Sequence, residues 1–318
     1  DANGGTGAME SIEVEAGKKF KLPKNIIAVT GSAGKGTTSK LIAETLKNQG
    51  FKVVHNHRGG NLKSGIVTML VEASDLFGNI KADYLVYEID ERYFKQVYTK
   101  LEPTTVVITN LVRDQPPRQG NIDFVYNDIK MCLTSTTHLI LNADDPYLQK
   151  FVLDLKCPVT YYSIEENKYS YLNNDYENLV MEYCPICNTK LKYNYYHFEI
   201  YGDYYCPKCS FKRPISKYKV TNIDYDKGTM TINNQYEIKI LNNILYNIYN
   251  ILATITTLDS LNLKPDKFIP YISKSEYDHK LCNHFKINDK DELWYFYILQ
   301  EWGLSCCKKS IPIFKGAK

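Results

Sequence analysis

An α/β fold with a mostly parallel sheet is the architecture the sequence predicts, and three observations carry it. Short apolar strands alternate with helical segments from Ile26 onward. A glycine-rich turn with one lysine, "GSAGKG", separates the first strand from the first helix. Later strands end on acidic or amide residues, as strands do at the ligand-bearing carboxyl edge of open α/β sheets.

The elements follow in order. "IIAV" (26–29) reads as a buried strand, and "TTSKLIAETLKNQ" (37–49) as an amphipathic helix. "KVVHN" (52–56) gives a second strand, "SGIVTMLVEAS" (64–74) a helix, and "DYLVYEID" (83–90), "TTVVITN" (104–110) and "HLILNADD" (138–145) further strands. After Cys157 the texture turns to short segments rich in Tyr and Asn around two cysteine pairs, which reads as an insertion with its own small architecture. "GTMTINNQYEIKIL" (228–241) alternates like antiparallel strands, and "LYNIYNILATITTLDSLNL" (245–263) has helical spacing that ends before Pro265. Beyond about Pro270 no pattern is legible, and there is no internal repeat.

Composition sets limits. The 318 residues are 44% hydrophobic, enough for a substantial core, and the net charge of +3 is dispersed. Neither a nucleic-acid stripe nor a polybasic membrane patch is implied. No apolar run nears the ~20 residues that span a bilayer, so no transmembrane segment is expected and the chain reads as cytoplasmic. Residues 1–24, glycine-rich and then charged, are expected to be a leader outside the core.

Three sets of residues point to chemistry. Gly31 and Gly34 let backbone amides approach an anion, Lys35 adds a point charge, and the following helix aims its positive dipole end at the same place. An ordinary glycine turn is the bland alternative, because Val29 stands where a full Walker sequence has its first glycine. Glu88 and the run Asn142–Pro146 close strands at the presumed carboxyl edge, where Glu88 could hold Mg2+ and where a cap or turn residue is the ordinary alternative. Cys184, Cys187, Cys206 and Cys209 form C-x2-C-x18-C-x2-C, two knuckles whose four thiolates suit a closed, structural Zn2+ site. Cys132, Cys157, Cys282, Cys306 and Cys307 show no ligand spacing. His55 and His57, two apart on an extended chain, face one side and suit a polar cleft rim better than a metal pair.

The motifs "VTGSAGKGTTSKLI", "VVHNHRGGN", "YLVYEIDER", "TNLVRDQPPRQGNID", "LILNADDPYL", both CPxC knuckles and "LYNIYNILA" occur in the order seen in the Mur ligase superfamily. With its four-cysteine insertion the chain resembles the MurT-type subunits of lipid II isoglutaminyl synthase, over roughly Ile26 to Leu263. The resemblance implies a central ATP-binding domain over 25–263 with a zinc-ribbon insertion at about 176–216, and a short divergent segment over 264–318. It implies ATP-dependent amidation of the D-glutamate α-carboxylate of the lipid II stem peptide to D-isoglutamine, through an acyl phosphate. The ammonia would come from a GatD-type glutamine amidotransferase partner, with lipid II at the membrane surface. Carried over by motif, Lys35 binds the β- and γ-phosphates of ATP, and Gly31, Ser32, Gly34, Gly36, Thr37 and Thr38 line the loop. Glu88 ligates Mg2+, Asp114 with Gln115 occupies the place of an Asp-His metal segment, and Asn247 and Asn250 approach the adenine. Lys35, Glu88 and Asp114 are the residues expected to serve the reaction.

Two departures qualify the expectation. Gly36 stands where the family places a hydroxyl that binds Mg2+, leaving Thr37 or water to replace it. The tail lacks the arginine and aspartate motifs of the family's C-terminal domain, so the chain is expected to be truncated or diverged after about Tyr271. Other Mur-type amino-acid ligases and a catalytically incomplete nucleotide-binding scaffold are the alternative readings.

Overall fold

The computed structural model describes residues 20–56, 60–112, 121–175, 179–240, 245–274, 283–287 and 290–294. Its centre is β1 (Asn25–Thr30), with Ile26 to Thr30 all buried. Strand β1 pairs in parallel with β3 (Tyr84–Glu88) on one side and β4 (Thr105–Ile108) on the other. Beyond β3 lies β2 (Val53–His55), and beyond β4 lie β5 (His138–Asn142) and β6 (Val159–Ile164), all parallel. These inner strands are covered on both faces, which is why they read as continuous apolar runs.

The sheet does not stop there. β9 (Tyr218–Asp224) pairs in parallel with β6, and β10 (Thr229–Ile232) and β11 (Tyr236–Lys239) finish the edge as an antiparallel meander. The full order is β11-β10-β9-β6-β5-β4-β1-β3-β2. The expectation that the chain leaves the main fold after Cys157 is therefore corrected in part. Tyr, Ser, Thr and Asn populate "VTYYSI" and "YKVTNID" and mask their strand character, yet Tyr162, Ile164, Tyr218, Val220 and Ile223 are buried. The segment between Glu165 and Lys217 does leave the sheet. It contains β7 (Lys192–Phe198) and β8 (Tyr201–Tyr205), paired antiparallel in a separate two-stranded sheet.

Helices α1 (Lys35–Asn48), α2 (Lys63–Ala73), α3 (Phe94–Leu101), α4 (Ile122–Cys132) and α5 (Lys150–Asp154) connect the parallel strands. Helix α6 (Leu245–Ser260) packs against α1 and crosses β5, β6 and β9, with every residue from Ile248 to Leu258 buried. Three of those residues are threonines, tolerated in the interior because Thr254, Thr256 and Thr257 donate back to the carbonyls of Asn250, Leu252 and Ala253 at 2.7–2.9 Å. Order continues past the proline break. Helix α7 (Pro265–Lys274) starts on the proline, a position where the missing N–H costs nothing, and buries Phe268, Ile269 and Ile272. In a separate unit, β12 (Asn283–Ile287) and β13 (Lys290–Trp294) pair antiparallel. Among the described residues no helix is long and apolar enough to cross a membrane.

Candidate phosphate site and metal centre

The turn after β1 is shaped by close approach. Gly31 has φ +130°, and a Cβ there would collide with Thr109 Oγ1 and lie 2.6 Å from the Asn110 carbonyl. Asn110, just past β4, fastens the loop: its carbonyl accepts from Ser32 N–H (2.9 Å), its Oδ1 accepts from Ala33 N–H (2.9 Å), and its Nδ2 donates to the Ala33 carbonyl (2.9 Å). Ser32 Oγ in turn accepts from Val112 N–H at 3.0 Å. Ser32 thus uses its N–H and its Oγ to shape the loop.

Helix α1 begins directly after this turn with Gly34, at φ +83°, as an N-cap that has no capping side chain. Its first internal bond is Thr38 N–H to the Gly34 carbonyl, so the amides of Lys35, Gly36 and Thr37 face out of the helix end. That is an anion cradle. Thr37 is partly exposed beside it, whereas Thr38 is fully buried and donates to Asn250 Oδ1 at 3.3 Å. Asn250 packs against Gly34 and donates to Asn247 Oδ1 at 3.5 Å. Both asparagines of "NIYN" therefore lie at the start of α6, next to the loop.

Lys35 is buried, with its ammonium on the carbonyls of Gly31 and Ser32 and on Glu91 Oε2 at 3.2 Å. Sequence reasoning had no place for Glu91, whose only signal is its presence in the acidic cluster "EIDER". Glu88 ends β3 under a two-bond clamp: Asn56 Nδ2 donates to the Glu88 carbonyl (2.8 Å) and Asn56 Oδ1 accepts from the Glu88 N–H (2.9 Å). Asn56 also went unassigned, though it directly follows β2. Asp90 is occupied by Arg92, at 2.8 Å to Nε and 2.5 Å to Nη2. Burial pushes the carboxyls of Glu88 and Glu91 above the usual range, with the Lys35 charge opposing it. Burial pushes Asp90 the same way, but its hydrogen bonds from Arg92 outweigh that and hold it low. With Lys35 on Glu91 and Arg92 on Asp90, Glu88 is the carboxylate of this cluster that has no ion pair among the described residues; Asn61 reaches it at 3.5 Å.

Gly36 sits against Glu88, and a Cβ there would be 3.2 Å from Glu88 Oε2. The missing hydroxyl therefore leaves the helix end open toward this carboxylate. His55 bonds Ser39 Oγ on α1 at 3.2 Å. His57 and Asp114 lie outside the described residues.

The cysteines form a second centre. Sγ atoms of Cys184 and Cys209 are 3.5 Å apart, those of Cys187 and Cys206 are 3.4 Å apart, and all four lie within 4.8 Å of one another. A zinc tetrahedron with bonds of ~2.3 Å needs sulfur separations of about 3.8 Å, so the cluster fits zinc. Ile186 N–H and Lys208 N–H each point at a cysteine sulfur at 3.4 Å, which turns the thiolates inward. Cys132 and Cys157 stand apart from it as free thiols, bonded to the Asp128 and Thr134 carbonyls.

Between ribbon and sheet lies a buried polar joint at the end of β5. Asp144, completely buried, accepts from Arg213 Nε (2.7 Å), Ile164 N–H (2.8 Å) and Tyr249 OH (2.9 Å). Its neighbour Asp145 is also buried. One carboxylate oxygen accepts from Tyr147 N–H at 2.9 Å, while Oδ2 has no hydrogen-bond partner among the described residues. Burial lifts the Asp145 pKa from 3.8 to about 7. The folded state therefore holds a proton the unfolded state gives up, and the associated stability, complete below about 3.8, is lost as pH rises to about 7. Asp145→Asn should flatten that decline, so that its melting temperature exceeds wild type by more at pH 7 than at pH 4.

The carboxyl edge, the glycine loop and the bare helix end define an α/β domain whose first helix opens, uncapped, at the edge of a mostly parallel sheet. The Mur ligase middle-domain family model matches residues 29–205, and the chain belongs to the Mur ligase family. It is 31% identical over 272 residues to the lipid II isoglutaminyl synthase subunit MurT of Staphylococcus aureus (strain COL), covering 85% of this chain and 60% of that protein. The MurT subunit of Streptococcus pneumoniae (strain ATCC BAA-255 / R6) is 30% identical over 278 residues, covering 85% and 61%. The chain thus spans about 60% of the length of these curated relatives. Among solved structures, a pseudomurein peptide ligase type C from Methanothermus fervidus matches with TM-score 0.67 and 25% identity, over 86% of this chain and 54% of that one. MurF ligase from Thermotoga maritima, solved with ADP, matches in fold alone, with TM-score 0.52 and 15% identity over 83% and 52%.

Proposed function

We propose that the chain is the ATP-binding ligase part of a MurT-type lipid II isoglutaminyl synthase. It amidates the D-glutamate α-carboxylate of the lipid II stem peptide to D-isoglutamine, with ammonia delivered by a GatD-type glutamine amidotransferase, on the cytoplasmic side of the membrane. The observation that carries this reading is the uncapped start of α1, where three outward amides stand beside Lys35 and the Glu88 carboxylate. The similarity to MurT subunits supplies the choice of substrate and partner.

ATP supplies the phosphoryl group that makes a carboxylate attackable by ammonia. The protein's part is positioning and charge neutralisation. The amides of Lys35, Gly36 and Thr37 and the Lys35 ammonium neutralise the phosphates, Glu88 serves as the carboxylate for Mg2+, and Asn247 with Asn250 takes the adenine. Asp114, with Gln115, takes the place of the Asp-His metal segment of other Mur ligases and serves the reaction. The domain limits follow the same reading: the ATP-binding domain over 25–263, the zinc-stapled ribbon at about 176–216 and a short divergent C-terminal segment over 264–318, of which α7 packs against α1, α6 and β11.

The test is ATP turnover with the chain and a GatD-type partner, with magnesium, lipid II and glutamine present. Turnover should require glutamine and yield isoglutamine. Lys35→Met should weaken MgATP binding about 100-fold, as loss of a charge-assisted phosphate contact in a water-poor site would. Turnover driven by an amino acid in place of glutamine would identify a different Mur-type ligase. A second reading, a nucleotide-binding scaffold, is favoured by Gly36, which offers no hydroxyl beside Glu88; binding without turnover would establish it.

A further inference from the structure

We propose that Glu91 is a positioning residue: its carboxylate holds the Lys35 ammonium against the loop and competes with a nucleotide phosphate for it. The inference rests on the nucleotide reading of this site. A lysine ammonium has three donors. Here the three acceptors are the Gly31 carbonyl, the Ser32 carbonyl and Glu91 Oε2. These three acceptors take up all the hydrogen-bonding capacity of Lys35.

The three acceptors are not equally able to yield. Gly31 is wedged against Thr109 and Asn110, and Ser32 is held through its N–H and its Oγ, so both carbonyls belong to a fixed loop. Glu91 alone reaches Lys35 through a side chain with rotatable bonds. It is also the acceptor with a full negative charge, at 3.2 Å in a setting where both side chains are about nine-tenths buried. A phosphate at the same ammonium would face this carboxylate at short range with little water between them, and that repulsion is large at low dielectric. The other charges nearby do not relieve it. Arg92 is committed to Asp90, and Glu88 adds a further negative charge at the helix start. Nucleotide entry thus exchanges one anion for another at Lys35, and the affinity measured is reduced by the cost of displacing Glu91.

Glu91→Gln keeps the size of the side chain and an oxygen acceptor but removes the competing charge. Titration calorimetry with MgADP should show binding about fivefold tighter or more than wild type. In a Lys35→Met background the same substitution should produce no gain, because Glu91 acts through that ammonium; a role in packing alone would not be erased this way. Glu91→Asp, which retracts the carboxylate by one methylene, should fall between wild type and Glu91→Gln, and it serves as the test if Glu91→Gln has lost its melting transition. Unchanged or weaker MgADP binding in folded Glu91→Gln, or a gain that persists without Lys35, overturns the proposal while leaving the nucleotide reading intact. Absence of MgADP binding by the wild-type chain overturns both.

Discussion

Asp144→Ala should cost about 3–5 kcal/mol of stability, the range for breaking a buried ion pair from one side. Three groups lose their acceptor at once: the Arg213 guanidinium, the Ile164 N–H and the Tyr249 hydroxyl. Arg213 is the costly one, since its side chain is only 10% exposed and its remaining partners are the Tyr195 hydroxyl, the Ile164 carbonyl and Glu165 at 3.6 Å. The damage is also architectural. Tyr249 ties Asp144 to α6, Ile164 ties it to β6, and Arg213 ties it to the strand pair of the ribbon. Urea unfolding should show the loss, with a melting temperature lower by roughly 10 °C. Asp144→Ala with Arg213→Ala should cost less than the sum of the single changes, because the second removes the charge the first strands. Additive costs would mean that the pair carries no coupling and that the joint is held by packing.

Much of the parallel sheet was legible because burial on both faces leaves a plain mark in sequence. Strands β1, β3, β4 and β5 are runs of Ile, Val and Leu bounded by polar ends. The loop after β1 was legible for a different reason, since close backbone approach at Gly31 and Gly34 admits no side chain. The four-cysteine cluster was legible from spacing alone, as thiolates needed on one ion fix short knuckles. What was hidden follows equally from physics. Strands β6 and β9 bury tyrosine and polar residues beside apolar ones, so their periodicity is blurred, and the tyrosine-rich texture of the ribbon masked their return to the sheet.

Side-chain assignments were hidden more deeply. Asn56 and Asn110 act on backbone groups far away in sequence, of Glu88 at the end of β3 and Ala33 in the loop after β1, and a contact across 32 or 77 positions has no local signature. Asp144 and Asp145 look alike in "NADDP" yet differ completely: one is saturated by a buried arginine, a tyrosine and an amide, while the other has an unpartnered oxygen and a raised pKa. Lys35 was identified by its type, but its partner Glu91 depended on how the turn after β3 folds back toward the loop.

Removal of the metal should have the largest effect on the ribbon. Structural zinc contributes about 10–16 kcal/mol in isolated finger peptides, a term as large as burial of the segment's Met181, Leu191, Tyr195, Tyr204 and Phe211 side chains at about 1.5–3 kcal/mol each. Without zinc, weak sulfur–sulfur and amide–sulfur contacts of 3.4–3.5 Å remain to hold the four sulfurs, and ionised thiolates there would repel. The purified chain should carry about one zinc, absent from the variant with Cys184→Ser and Cys206→Ser. Hydrogen exchange should then lose protection between Glu165 and Lys217, while β1, β3 and β4 keep theirs. The loss should also reach the joint, since Arg213 and the Gly202 N–H, which bonds the Asp144 carbonyl at 3.1 Å, both belong to the ribbon segment. A metal-free variant that matches wild type in exchange over this segment would show that the hairpin folds by its tyrosine packing, with Tyr193 stacked 4.1 Å from Tyr196, and that the cysteines serve something other than its stability.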